Sequence, residues 1–449
     1  MTDDHPRGRR RGVGLRTLLA CAVAAFCTLA ASLPAAATTG APSTAPPPRR
    51  LALPSPTGPH PVGEVSLHLV DTARPDPWQQ GPPHRELMVS VFYPAAHTTG
   101  RPQAPYMLPA AAAHFDRVTA DDYLQLGLPT GRTDWAGVAT HVALGAPVTP
   151  GRRGRLPVVL YSPGLGEPRT WGTTLVTELA GRGYAVVTVD HTYESPEVQF
   201  PDGSLATMVP PGDPDAFIRK SLAVRVADIR FVLDRLRLLD DGHDPDADGQ
   251  RLPKGLTGAL DLSRVGMFGH SMGGSAAALA MDADHRIIAG IDMDGNLTYV
   301  DGSPMPVARH GLDRPFLLLG KDGETDTGPG WQAFRAHTPG WTRQLTLRDS
   351  GHASTTDAEA LLPQLHLPPS VQAAALGTLD PVTAIRTSEA YVAAYFDHWL
   401  RGGSGRLLEG PSPRYPAMEF VDRPGPCGCG GTGCGGPSRR SARRAPAGP

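Results

Sequence analysis

Arg264–Met281 reads Arg-Val-Gly-Met-Phe-Gly-His-Ser-Met-Gly-Gly-Ser-Ala-Ala-Ala-Leu-Ala-Met. The first five residues have the apolar run of a buried strand. Ser275–Met281 has the composition of a helix, and the two are joined by Gly269-His270-Ser271-Met272-Gly273. A G-x-S-x-G pentapeptide between a strand and a helix is the signature of a sharp turn that lifts a serine hydroxyl above a sheet. The glycines leave room for the strained turn, and the helix N-terminus favours negative charge nearby. Ser271 is therefore the candidate nucleophile.

Working outward, the chain alternates strands and helices. Val65–Val70 and Leu87–Tyr93 read as strands by β-branched content and alternation. Leu156–Tyr161 is a continuous apolar run, as in a strand buried on both faces, and Tyr184–Val189 is another buried strand; Val265–Phe268, Ile287–Ile291, Pro315–Leu319 and Gln344–Leu347 read as further strands. Leu175–Gly183 reads as a helix. Ile218, Leu222, Val226, Ile229, Leu233 and Leu236 recur at intervals of three and four, which is an amphipathic helix, and Ser388–Leu400 reads as a last one. This order predicts an α/β fold: a mostly parallel central sheet with helices on both faces and two antiparallel N-terminal strands. One catalytic domain over residues 61–423 is expected, with 94–156 as a cap or loop layer.

A serine hydroxyl needs a base, and in this order the base follows on a late loop, after an acid. His352, in Asp349-Ser350-Gly351-His352-Ala353, lies just beyond the strand ending near Leu347. Two acids fit. Asp294 follows Ile287–Ile291 and Asp322 follows Pro315–Leu319; pattern alone leans to Asp322. Asp292 is a weaker candidate. His191 ends a strand but precedes the serine, so it is read as lining the pocket, and His270 as packing beside Ser271. An oxyanion hole needs the N–H after the nucleophile, Met272, and one from the loop after the third strand. Leu165, in Ser162-Pro163-Gly164-Leu165-Gly166, is the candidate for the second.

The 449 residues carry 42 Lys and Arg against 44 Asp and Glu. The near balance hides an acidic body. Setting aside 1–37 (five Arg, two Asp) and 424–449 (four Arg) leaves 33 basic against 42 acidic residues. Such a body repels phosphate backbones, so no nucleic acid is expected as a partner. Arg7 to Arg16, the apolar run Thr17–Leu33 and Pro34-Ala35-Ala36-Ala37 read as a signal peptide over 1–37, implying secretion or attachment to the cell envelope. Residues 38–60 read as a disordered Pro/Thr/Ala-rich linker, and 424–449 as a disordered Gly/Cys/Arg tail. Cys21 and Cys27 fall in the signal and Cys427, Cys429 and Cys434 in the tail, so the body needs neither a disulfide nor a Cys-bound metal. Asp244-Pro245-Asp246-Ala247-Asp248-Gly249 copies the start of a calcium loop, but Gly255 stands where a bidentate Glu belongs. It is read as a solvated acidic loop. No metal and no cofactor are expected.

Tyr161-Ser162-Pro163-Gly164-Leu165-Gly166-Glu167-Pro168-Arg169 with Gly183-Tyr184, and Leu262-Ser263-Arg264-Val265 leading into Gly269–Gly274, resemble the platelet-activating factor acetylhydrolases. From about Pro61 to Val421 the chain is similar to a bacterial member of that family, within the α/β-hydrolase superfamily. The resemblance implies a metal-independent serine esterase acting on short or oxidised acyl chains of phospholipids, or on simple esters, with contact to a lipid surface. In that family the acid follows a Gly-Ile-x-x-Asp pattern, matched by Gly290-Ile291-Asp292-Met293-Asp294, so the resemblance points to Asp294. The expected catalytic set is Ser271, Asp294 and His352, with Asp322 as alternative acid and Leu165 and Met272 at the oxyanion. A lipase or a polyester (cutinase-like) hydrolase shares this triad. A non-catalytic envelope binding protein on a hydrolase fold is the alternative from another class.

Overall fold

The computed structural model describes residues 48–81, 84–123, 126–151, 154–321 and 328–421. The signal peptide, residues 38–47 of the linker, the Cys-containing tail and Asp322 lie outside the described residues.

Twelve strands are present among them: β1 (Val62–Asp71), β2 (Arg85–Pro94), β3 (Val142–Leu144), β4 (Leu156–Ser162), β5 (Ala185–Asp190), β6 (Glu197–Gln199), β7 (Leu205–Thr207), β8 (Leu260–His270), β9 (Ile287–Met293), β10 (Phe316–Lys321), β11 (Thr342–Leu347) and β12 (Met418–Val421). The helices are α1 (Pro109–His114), α2 (Thr173–Gly181), α3 (Pro214–Asp240), α4 (Met272–Ala283), α5 (Pro306–His310), α6 (Pro329–His337), α7 (Ala358–Leu361), α8 (Pro369–Leu376) and α9 (Pro381–Arg401).

Ten strands form one sheet in the order β12-β11-β10-β9-β8-β4-β5-β2-β1-β3, and β6 pairs with β7 separately. From β5 to β11 all pairs are parallel. β1–β2, β2–β5 and β11–β12 are antiparallel, so the sheet is mixed. This is the α/β-hydrolase arrangement expected from the sequence. The chain leaves β4 for β5 on one side and returns to β8 on the other. The crevice for a ligand therefore opens at the C-terminal ends of β4 and β8.

Each helical layer buries one stripe. α3, α4, α5 and α6 cover one face through residues such as Ile229, Leu233, Ala277, Val307 and Phe334. α2 and α9 cover the other through Leu175, Val176, Tyr391 and Phe396. The two longest helices are capped as their sequences dictate. Asp213 and Asp380 each precede a Pro at the first helical position and accept a backbone N–H, from Ala216 and Thr383.

A third apolar cluster gathers the 94–156 segment. It joins Tyr106, Phe115, Trp135 and Val138 from the 94–156 segment to Trp171 and to Leu361, Leu362 and Leu365 of the region after β11. Leu51 and Leu53 are buried in it. Residues 48–60 are thus packed rather than disordered. Arg49 bridges Thr133 and Ala52 bridges Ala139 in parallel, which satisfies their backbone. The ordered body begins about a dozen residues before the expected boundary at 61.

The acidic loop at 244–249 spends its carboxylates on the protein. Asp246 accepts the His68 backbone N–H at 2.8 Å and Asp248 meets the His68 imidazole at 3.0 Å, tying the loop to β1.

Candidate active site

The parallel strands deliver their following loops to one edge: Ser271 after β8, Asp294 after β9, His352 after β11, and Pro163–Glu167 after β4. Ser271 has φ 54°, a conformation unfavourable for a residue with a Cβ, and it is only partly buried. The turn closes because its glycines touch neighbouring backbone. A Cβ on Gly269 would stand 2.2 Å from the Gly273 carbonyl carbon, and one on Gly273 would stand 2.0 Å from the Ser162 oxygen. The elbow is therefore seated directly on the end of β4. Met272 opens α4, where its N–H has no intrahelical acceptor.

Asp294, also at positive φ, donates its N–H to Leu319 O at 2.9 Å. Its Oδ1 accepts from Lys321 N at 3.3 Å and its Oδ2 lies 2.5 Å from His352 Nδ1. The other ring edge of His352 faces outward, and its side chain is 51% exposed. Among the described residues no hydrogen bond joins His352 to Ser271 Oγ; contacts of this kind tighten when substrate binds. The structure thus brings His352 to Asp294. Asp292 points elsewhere: it is buried, accepts the Gly295 N–H and bonds Trp331 Nε1, and burial pushes its carboxyl well above the ordinary range.

His270 does more than pack beside the serine. Its Nδ1 lies 2.9 Å from Glu167 Oε1 and its Nε2 lies 2.7 Å from the His352 carbonyl oxygen. Both partners only accept, so both ring nitrogens carry protons. Burial opposes that charge, yet the Glu167 carboxylate and the His352 carbonyl outweigh it and raise the His270 pKa. Glu167 is likewise resisted by burial but held below its ordinary value by His270 and by the Gly164 N–H at 2.7 Å. One buried pair thus connects the loop after β4 with the backbone of His352.

A second Ser/His/Asp constellation lies beneath. Ser162 Oγ is 3.0 Å from His191 Nε2, and His191 Nδ1 is 3.0 Å from Asp228 Oδ2. All three are fully buried. His191 does not line a pocket as expected. Burial and the nearby Arg225 lower its pKa to about 4, so it is neutral. Asp228 is committed to Arg85 and Arg74 at 2.8 and 2.6 Å. Sealed from solvent, this set holds the floor of the site, whereas Ser271 and His352 stand at its mouth.

Sequence reading passed over Arg225 and Glu194, which pair at 2.9 Å with both side chains fully buried. The available signal was a charge on an apolar stripe. Arg225 sits three residues after Leu222 and four before Ile229, on the buried side of α3.

The model of the family described as "Platelet-activating factor acetylhydrolase, isoform II" matches residues 48–318. That span contains Leu165, Ser271 and Asp294 and ends before His352. A probable 1-alkyl-2-acetylglycerophosphocholine esterase of Arthroderma benhamiae is 29% identical over 399 residues, 84% of this chain and 95% of its own length. The platelet-activating factor acetylhydrolase of Canis lupus familiaris is 24% identical over 186 residues, 37% of this chain and 40% of its own. Among solved structures, the ferulic acid esterase from Streptomyces cinnamoneus is 34% identical with a TM-score of 0.67, covering 83% of this chain and all of that one.

Proposed function

The chain belongs to the platelet-activating factor acetylhydrolase isoform II family and is a carboxylic-ester hydrolase, and from that premise we propose that it is an exported serine esterase that removes short acyl groups through a Ser271–His352–Asp294 triad. The observation that carries the catalytic assignment is the meeting of His352 with Asp294 at the same sheet edge as the strained Ser271. Ser271 Oγ attacks the ester carbonyl while His352 Nε2 takes its proton. Asp294 fixes the imidazole through Nδ1 and stabilises it once charged. The N–H groups of Met272 and Leu165 receive the developing oxyanion. His352 then protonates the leaving alcohol, and water repeats the sequence on the acyl-enzyme. Export is proposed on the sequence of 1–37 alone.

The substrate class follows from the relatives: a phospholipid with a short sn-2 acyl group, or a simple ester of similar size. A second reading is favoured by the ferulic acid esterase, whose whole length this chain covers: a hydroxycinnamoyl ester. A panel of p-nitrophenyl esters of rising chain length, a short-chain phosphatidylcholine and methyl ferulate separates them. The first reading predicts a steep fall in kcat/KM beyond short chains, about tenfold or more for each methylene that does not fit. A flat profile to long chains supports a lipase or polyester hydrolase, and turnover of methyl ferulate above all other members supports the second reading.

A further inference from the structure

Arg225 projects from α3 into the underside of the loop that follows β4 and is fully buried. Its Nε donates to Glu194 Oε2 at 2.9 Å. Its Nη1 donates to Ser162 Oγ at 3.2 Å and to the Pro163 oxygen, and its Nη2 to the Gly164 oxygen at 3.1 Å. Four of the five guanidinium donors are thereby placed, three of them on one short loop.

The two carbonyls matter because a trans peptide is planar, with its C=O and N–H pointing in opposite directions. The Gly164 C=O belongs to the peptide whose N–H is that of Leu165. Drawing that oxygen down to Arg225 turns the Leu165 N–H upward, away from α3. The preceding peptide displays the same arrangement in full. Its Pro163 C=O goes to Arg225, and its Gly164 N–H goes to Glu167 on the other side at 2.7 Å. The same Glu167 holds His270, the residue before Ser271, at 2.9 Å, so the N–H side of this loop is the side on which the elbow histidine lies.

We propose that Arg225 is a positioning residue for oxyanion stabilisation: its planar fork clamps the Pro163 and Gly164 carbonyls and so aims the Leu165 N–H at the substrate oxygen. The role suits arginine and not lysine. Two carbonyls side by side need two parallel donors in a fixed plane, which an ammonium on a flexible stem does not supply. It also accounts for burying a charge whose desolvation costs as much as its ion pair returns. Glu194 balances the charge, while Ser162, held by His191, completes the socket.

The proposal rests on the reading of Leu165 as an oxyanion donor, and one experiment separates the two. Arg225→Gln and Arg225→Lys are compared with the native enzyme in kcat and KM on p-nitrophenyl acetate, in melting temperature, and in Ki for an aryl trifluoromethyl ketone. Ser271 adds to that ketone to give a tetrahedral alkoxide that needs the oxyanion hole. Losing one donor costs about 10²–10³ in kcat, so the variants should lose about 10- to 100-fold in kcat with KM nearly unchanged, and ketone affinity should fall in proportion. Arg225→Lys keeps the charge opposite Glu194 and carries the test if Arg225→Gln does not fold. Lowered melting temperature with kcat and Ki unchanged in Arg225→Lys would overturn the role of Arg225 alone. A native enzyme indifferent to the ketone would overturn the oxyanion reading itself, and this proposal with it.

Discussion

Two buried histidines in this site are shifted in opposite directions, and their neighbours set the difference. Burial, with Arg225 beside it, lowers the pKa of His191; His270 is buried too, but the Glu167 carboxylate and the His352 carbonyl overcome that burial and raise its pKa. The consequence is a pH dependence with a definite sign. His270 has a folded pKa above its ordinary 6.5, so its stabilisation is fully present below 6.5 and is lost as pH rises through the folded value. Glu167 has a folded pKa below its ordinary 4.5, so its contribution is present above 4.5 and is lost as pH falls through the folded value. The pair stabilises most between those limits. His270→Gln, which cannot titrate and keeps one amide nitrogen as donor, should remove the alkaline loss: the unfolding free energy of the native protein should fall above pH 6.5 by more than that of the variant, by ~1.4 kcal/mol per unit of pKa elevation. Equal alkaline slopes in the two proteins would show that the pair is not the source.

At this scale Ser271 and His352 were legible as candidates, because a nucleophile on an elbow and a base on a late loop have a fixed order in sequence. The choice between the two candidate acids was not legible from pattern. Asp294 and Asp322 follow neighbouring parallel strands, and either strand end reaches the same edge. The family resemblance pointed to Asp294, and the contact with His352 agrees with it. The buried pairs were invisible, since Glu167 and His270 lie 103 residues apart and no periodicity links them. Arg225 alone left a trace, as a charge on an apolar stripe.

Among elements, the β8–α4 elbow and the end of β4 act as one unit because Gly273 lets their backbones touch. A methyl group at 273 would stand 2.0 Å from the Ser162 oxygen and 2.6 Å from the Pro163 oxygen, and neither is the far end of a flexible side chain. Gly273→Ala must therefore displace either Ser271 or the Pro163–Glu167 loop. A misplacement near 1 Å costs about 100-fold, and kcat/KM on p-nitrophenyl acetate should fall by about that much. Native kcat/KM in a folded Gly273→Ala protein would mean that the elbow and the loop do not register against each other.

The long strands and helices were readable because apolar runs and three-four spacing are local signals. The short β3, β6, β7 and β12 were not, since three or four residues carry too little pattern. The first helical turn of α4 was also missed: Met272-Gly273-Gly274 has poor helix propensity and is helical because the elbow demands it.

For the molecule as a whole, the 94–156 segment is tied to the region after His352 and to the start of α2. Asp357, buried just beyond His352, accepts from Tyr106 of that segment at 3.0 Å and from the Thr173 and Thr174 N–H groups. Burial raises its pKa to about 6 against those donors. The same cluster buries Leu51 and Leu53, whose alternation was the one apolar signal in a Pro-rich stretch read as a linker. A composition typical of disorder here clothes a segment packed into that cluster.

The enclosed Ser162 and the partly buried Ser271 give the most direct test of the account. Both have a histidine and an aspartate in their surroundings, but only Ser271 stands where a substrate arrives. The native chain, treated with a fluorophosphonate that esterifies an activated serine with loss of fluoride, should gain one adduct by intact mass. Peptide mapping should place it on Ser271, and Ser271→Ala should gain none and lose ester hydrolysis by several powers of ten. An adduct on Ser162, or labelling and hydrolysis that persist in Ser271→Ala, would contradict the account.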